Sequence, residues 1–294
     1  MLGPSTRRYT NIPLGTKDRS GQRWLKRISY YRLSAYFVPF RESAPSEIFL
    51  KGASFDRVID LYIFDCRLRN VFMIAIERIE ISFQTAITYE LSHTCGPFAH
   101  TLPDTYSSWF VKQMKIGELP PFEELMLNIQ KEEKRAKELF VKAYRQKYTE
   151  EPHLPIWMAT ELMSLGTLSM MFEGLKSASK TKIASQYKLA ERPFQSWMHA
   201  LSTLRNLIAH HSRLWNRQFG VQPMIPHKWI YEIPQPDRTY CLAVMIQHLL
   251  GIIAAGVKWR KRLFDLFDLH PDIALGPMGF PKHWRTLPPW KETP

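Results

Sequence analysis

The longest helical pattern in the chain reads FDRVIDLYIFDCRLRNVFMIAIERIEISFQTAITYELSH and runs from Phe55 to His93. It contains neither proline nor glycine. Its first apolar residues, at positions 55, 58, 59, 62, 63 and 66, recur with the period of an α-helix. Ser54 precedes the pattern as a candidate N-cap. The stretch therefore predicts one very long helix, or two helices joined by a subtle break.

Helical patterns continue on both sides of this stretch. One begins near Gln22 and is stopped by Pro39, and others follow at residues 121–148, 155–165, 167–177, 180–189, 193–211 and 239–266. No segment alternates polar and apolar residues as a half-buried strand does. The sequence therefore predicts an all-α protein, a helical bundle with long antiparallel helices. We expect a loose tail at residues 1–20, one helical domain over 21–266, and a Pro-rich tail at 267–294 laid on the surface.

The composition of the chain is basic. Its 294 residues are 45% hydrophobic, enough for a sizeable core, and they carry a formal net charge of +13. This surplus favours polyanionic partners, because each neutralised phosphate releases a condensed counterion. Charge alone does not choose between nucleic acid, an anionic membrane and mere solubility. The charged run within residues 121–148 alternates in sign, which is typical of a solvated helix face and less often of an RNA contact.

Cysteine usage and hydropathy limit the cofactors and the location. The three cysteines lie far apart without a C-x-x-C pair, so we expect no metal, no cofactor and no disulfide framework, and reduced cytoplasmic thiols (Cys66, Cys95, Cys241). No apolar stretch follows the first arginines, unlike in a signal peptide. The apolar segment Cys241–Val257 is short for a bilayer crossing and has Gln247 and His248 at its middle. It predicts a buried helix rather than stable membrane insertion.

The segment WMHALSTLRNLIAHHSRLWN, Trp197 to Asn216, carries the clearest chemical signal. Arg205 and His210 form an R-x4-H pair with Asn206 beside the arginine. The pair alone is a weak signal, because a chain rich in arginine and histidine also produces it by chance.

Helix geometry separates the two adjacent histidines of this segment. On a helix continuing through His211, the apolar residues at positions 201, 204, 207 and 208 cluster on one side, and His211 falls among them. This placement favours a packing or hydrogen-bonding role for His211. Asn206 and His210 stack on the opposite side, with Arg205 at its border. His210 is therefore the better catalytic candidate.

These residue types suit phosphodiester cleavage without a metal. A histidine can take the proton from a ribose 2′-hydroxyl or give one to the leaving oxygen. Arg205 would grip the phosphate bidentately and stabilise the charge of the transition state, and Asn206 could orient the histidine or a phosphate oxygen. Acid–base cleavage is served better by two histidines, which a symmetric dimer would supply. In the alternative, structural interpretation, Arg205 merely pairs with Glu77 or Glu80 of the long helix, although these carboxylates could equally orient it for catalysis.

Four blocks of the sequence resemble the Abi-like proteins of bacterial abortive-infection systems, which belong to the HEPN superfamily. In order they are YYRLSAYFVPF (30–40), LYIFDCRLRNVFMIAIERIEISFQTAI (61–87), PIWMATELMSLGTLSMMFEGL (155–175) and LRNLIAHHSRLWNR (204–217). The resemblance implies an all-helical HEPN core, a homodimer, and an active site built from the R-x4-H motif of both subunits, here Arg205 and His210 with Asn206 in the polar position. It also implies metal-independent RNA cleavage that leaves a 2′,3′-cyclic phosphate and arrests the host during phage infection. Association with a structured non-coding RNA is a further expectation.

Other basic residues of these blocks are candidate RNA contacts. Arg32 lies among aromatic residues, a mixture that can stack bases and hold phosphate, while in the alternative interpretation Tyr31 and Phe37 belong to the core. Arg213 and Arg217 follow the motif. Two other functions stay open: a scaffold that binds a non-coding RNA without cutting it, and a membrane-associated infection sensor.

Overall fold

The computed structural model describes residues 24–42, 48–112, 119–230, 232–254 and 258–291. Within these ranges the regular elements are helices, there is no strand, and two isolated β-bridges join Arg41 to Phe49 and Tyr106 to Leu175. The predicted all-α class is confirmed. The α-helices are α1 (Tyr30–Phe37), α2 (Phe55–Cys95), α3 (Ser108–Lys112), α4 (Pro121–Arg135), α5 (Leu139–Lys147), α6 (Ile156–Leu162), α7 (Leu165–Gly174), α8 (Ser177–Gln186), α9 (Glu191–Ala209), α10 (Thr239–Ile253) and α11 (Trp259–Leu269).

The chain forms two compact units. One comprises Met1–Asn70 with Leu263–Ala274, and the other comprises Val71–Arg262 with Leu275–Pro294. The predicted tail at residues 1–20 lies outside the described residues. The assignment of residues 21–266 to one helical domain stays a prediction.

The predicted long helix forms as one unbroken element. Helix α2 is 41 residues long, and Ser54 Oγ accepts the Arg57 backbone N–H at 3.3 Å, as expected of an N-cap. Its buried side chains are mostly aromatic and aliphatic, among them Phe64, Phe72, Ile79 and Phe83 at 0% exposure. A buried ion pair between Asp65 and Arg69 interrupts them. Of the two alternatives, one long helix or two, the first is correct.

The core of the second unit forms around α9. This helix packs against α7, α8 and α10, and the ring of Phe194 lies 4.9 Å from the rings of both Phe83 and Phe172, each at an edge-to-face angle. Helix α10 is buried on nearly all sides from Thr239 to Ile246, as predicted. The expected single helix over residues 239–266 is instead two helices, α10 and α11. None of the helices in the described ranges combines the length and apolar character that a membrane crossing requires.

Two further predictions of the fold are wrong. The predicted helix over residues 121–148 is broken into α4 and α5, because Ala136 adopts an extended conformation (φ −63°, ψ 129°). The Pro-rich C-terminal segment is not simply laid on the surface. Its large apolar side chains Met278, Phe280, Trp284 and Trp290 are buried, and the Trp290 indole N–H donates to the Tyr240 hydroxyl at 3.3 Å.

A buried histidine lies between α2 and α4 in the sequence. His100 is completely buried, and neither of its ring nitrogens has a hydrogen-bond partner within the described residues. Burial, reinforced by nearby His153, lowers the pKa of His100 from 6.5 to about 4. The folded chain therefore holds this imidazole neutral.

Acidification should consequently destabilise the protein through His100. A group whose folded pKa is depressed contributes stability above its unfolded pKa and loses it as the pH falls, here by about 3 kcal/mol between about pH 7.5 and about pH 4. As the pH falls over this interval, the unfolding free energy of the wild type should decrease by this amount relative to that of His100→Leu. Urea denaturation measures both. His199→Gln, an exposed control, should follow the wild type. Equal pH slopes for His100→Leu and the wild type would contradict the assignment.

Candidate active site

Helix α9 places the predicted motif at its C-terminal end. Leu201 and Leu204 are fully buried and Ile208 is 5% exposed, so the predicted apolar face is confirmed. Asn206 is exposed on the other side, and Arg205 is intermediate, at the border between the two. The helix thus presents Arg205 and Asn206 outward from a rigidly packed face.

The helix ends at Ala209, one residue before the candidate histidine. The N–H of His211 donates to the Ile208 carbonyl at 2.9 Å, and the N–H of Ser212 donates to the Leu207 carbonyl at 2.8 Å. This pair of hydrogen bonds defines a Schellman motif, which requires a left-handed residue after the helix. His211 supplies it, with a φ of +57°.

The predicted placement of His211 is wrong for this reason. The helical projection that put His211 among the leucines assumed a helix through residue 211, whereas the chain has already turned away. His211 is exposed, as are His210 and Asn206. The side chain of His210 is therefore exposed as predicted, and so is that of its neighbour.

Glu80 of α2 forms the ion pair with Arg205. Oε2 of Glu80 lies 3.9 Å from Nε of Arg205, and their side chains are 15% and 37% exposed. Burial raises the pKa of Glu80, while Arg205 and a hydrogen bond from the Leu165 backbone N–H oppose the rise. Glu77, the other predicted carboxylate, is exposed and adds to the rise.

A second carboxylate reaches the same place from α4. Oε1 of Glu132 accepts hydrogen bonds from the Ser164 N–H at 3.2 Å and the Thr167 hydroxyl at 2.9 Å. Ser164 Oγ in turn accepts the Thr167 N–H, as an N-cap of α7. Glu80 and Glu132 both meet the start of α7, where helix N–H groups favour negative charge.

These elements enclose an open cleft with a volume of about 420 Å³. It is lined by Arg205 with Glu77, Glu80, Ile81, Gln84, Glu132, Glu161, Leu162, Met163 and Ser164. Four carboxylates against one guanidinium make the cleft acidic on a basic protein. The cleft itself is therefore electrostatically unfavourable for a phosphate.

The sequence did not single out Glu132, Glu161 or Ser164. Glu132 belongs to the charged run that resembled a solvated face, and nothing local marks it as turned inward. Ser164 belongs to the residue types that favour a helix N-cap, but it does not reveal which carboxylates come to that helix start. No cluster of three or more histidine, cysteine or carboxylate side chains suited to a metal occurs in the described ranges.

The remaining predicted site residues lie elsewhere. Arg213 and Arg217 follow the motif in a loop, where Arg217 donates to the Arg213 carbonyl at 3.4 Å. Arg32 is exposed on α1, in the first unit. Tyr31 is 87% exposed, so its assignment to the core is wrong, whereas Phe37 is buried as that alternative predicted.

Comparison with known proteins gave one match. A family model described as Abi-like protein matches residues 23–216, a range that includes the R-x4-H motif and the glutamates of the cleft. No curated protein and no solved structure matches the chain significantly.

The left-handed conformation of His211 makes a prediction about stability. A β-branched residue is strained there and glycine is not. We therefore expect the free energy of unfolding of His211→Gly to be about 1–2 kcal/mol higher than that of His211→Val. Chemical denaturation measures the difference. The same two substitutions at His199, exposed within α9, should give no such advantage to glycine, because helix propensity there favours valine. An advantage for valine at position 211 would contradict the assigned turn.

Proposed function

The chain belongs to the Abi-like protein family, and on that premise we propose that it is a metal-independent endoribonuclease acting in the cytoplasm as the effector of a bacterial abortive-infection system. Arg205 and His210 are its catalytic residues, Asn206 supports them, and RNA is the substrate. The HEPN fold and a homodimer belong to the same proposal.

One observation carries this proposal. The last turn of α9 and the residue that follows it carry Arg205, Asn206 and His210. The largely buried carboxylate of Glu80 lies 3.9 Å from the Arg205 Nε and fixes the position of that side chain. Arg205 is only 37% exposed, so its guanidinium has few conformations to lose on gripping a phosphate. Asn206 and His210 need no rearrangement of the fold to reach a ligand.

The chemistry requires proton transfer and charge stabilisation. The ribose 2′-oxygen attacks the adjacent phosphorus as its proton passes to an imidazole, and the bond from phosphorus to the 5′-oxygen breaks as that oxygen gains a proton. The products are a 2′,3′-cyclic phosphate and a 5′-hydroxyl. Arg205 stabilises the charge on the non-bridging oxygens, and Asn206 orients the imidazole or one of those oxygens.

Two proton-transferring groups are better than one for this reaction. His210 is one, and the second is His210 of another copy, brought close by a symmetric dimer. His211 of the same chain is the alternative, because it is exposed in the same turn. Arg213 and Arg217 in the following loop, and Arg32 on α1, are proposed contacts to RNA beyond the scissile phosphate.

The test is RNA cleavage in the presence of EDTA, with analysis of the product ends. We expect the wild type to cut and to leave 2′,3′-cyclic phosphates, and His210→Ala and Arg205→Ala to cut at least about 100-fold more slowly, since each removes a group acting in the transition state. His210→Ala should unfold like the wild type, while Arg205→Ala should still fold but be less stable, because Glu80 loses its ion-pair partner.

His211→Gly is the matched control, because it removes the neighbouring imidazole and suits the turn. It should keep most of the activity. Loss of cutting in His211→Gly with retention in His210→Ala would transfer the role to His211. Tight RNA binding without any cutting by the wild type would support the non-catalytic scaffold instead.

A further inference from the structure

The charged stretch at residues 130–148 differs in space from what its sequence indicates. It contains seven basic and three acidic residues, and the signs alternate along the chain. This composition gives the stretch a net charge of +4. The structure exposes the two signs unequally.

Two of the three acids are turned into the protein. Glu132 is used by the start of α7, through its hydrogen bonds to Ser164 and Thr167. Glu133 is 7% exposed, with Arg145 at 3.8 Å. Neither carboxylate therefore contributes to the outer surface of α4.

The basic residues are turned outward. All seven are exposed, and Glu138 is the one exposed acid within residues 130–148, all of which the structure describes. Lys134 of α4, Lys142 of α5 and Lys137 in their connection are among these exposed residues. The exposed residues of the stretch thus carry seven positive charges and one negative charge, against seven and three in its whole composition.

Aromatic rings interrupt the basic residues. The rings of Tyr144 and Tyr148 lie 4.8 Å apart at 36°, and the Lys147 ammonium lies 5.2 Å from the Tyr148 ring. Tyr148 is 46% exposed. A cation-flanked, exposed ring offers a stacking face to an unpaired base.

We propose that residues 130–148 form a second RNA-contacting surface, which binds the phosphates of single-stranded RNA through its lysines and arginines and stacks a base on Tyr148. Only the choice of RNA as the polyanion rests on the proposed function. None of its residues is among the proposed catalytic groups, so the surface contributes to affinity and not to the chemical step.

The test measures RNA binding in a His210→Ala background, so that the probe survives. The probe is a fluorescent single-stranded RNA of about 20 nucleotides and mixed sequence, long enough to cover several phosphate contacts. The test variant is Lys134→Gln with Lys137→Gln and Lys142→Gln. The control, Lys258→Gln with Lys282→Gln and Lys291→Gln, removes the same charge from exposed positions outside the stretch.

We expect the test variant to bind at least about 10-fold more weakly at moderate salt and to lose about 2 from the slope of log affinity against log salt. The control should change the affinity less than about 2-fold, since its lysines make no phosphate contact. Tyr148→Leu should weaken binding at least about 5-fold without changing the slope, because stacking releases no counterion.

Equal losses of RNA affinity in the two triple variants would overturn the proposal, because they would show a general effect of net charge. It would also be overturned if the test variant lost binding to phosphatidylserine vesicles and kept its affinity for RNA, since the surface would then be a membrane contact. Cleavage is measured separately with His210 present, so a wild type that binds through this surface without cutting refutes the nuclease and leaves the surface intact.

Discussion

The first turn of α7 has backbone N–H groups that its own helix cannot satisfy, and the Glu132 carboxylate of α4 accepts the Ser164 N–H there. Glu80 of α2 lines the same place, where burial raises the pKa of its carboxyl group and the start of α7 opposes the rise. Because an unpaired N–H at a buried helix end costs free energy, this point holds α4 to α7 and favours the charge that α2 brings to it. Burial makes the charge on Glu80 costly, and the nearby guanidinium of Arg205 offsets part of that cost. The position of the arginine in the candidate site is therefore a consequence of how the bundle closes.

The sequence of a single segment was sufficient to predict those features of the fold that depend on interactions within the segment. The length of α2 followed from the absence of proline and glycine, and its start from the hydroxyl of Ser54. The apolar side of α9 followed from its period, which also put Asn206 on the exposed side. These features need only helix geometry and the burial of apolar surface, and both can be derived from one segment at a time.

The sequence of a single segment did not predict those features that depend on tertiary contacts or on rare backbone conformations. Ala136 lies among good helix formers, so nothing in its neighbourhood indicates the break between α4 and α5. The end of α9 lacks the glycine that usually marks a left-handed residue, and His211 takes that conformation instead. The burial of Trp290 depends on Tyr240, fifty residues away in the chain, which no periodicity can reveal. The inward direction of Glu132 likewise depends on a helix start thirty-two residues further on.

Backbone hydrogen bonds between residues 207 and 212 define the turn after α9, and the imidazoles of His210 and His211 are both exposed. Neither imidazole is part of the apolar core, so the fold depends little on the residue that the proposal makes catalytic. Selection for a stable fold therefore does little to conserve either histidine. Asparagine or glycine at position 211 suits the backbone at least as well. On the proposed function, a lineage could lose RNA cleavage through one substitution at His210 and keep a folded descendant. Such a descendant would still compete for the proposed RNA substrate, so loss of the imidazole would turn the proposed effector into its own antagonist.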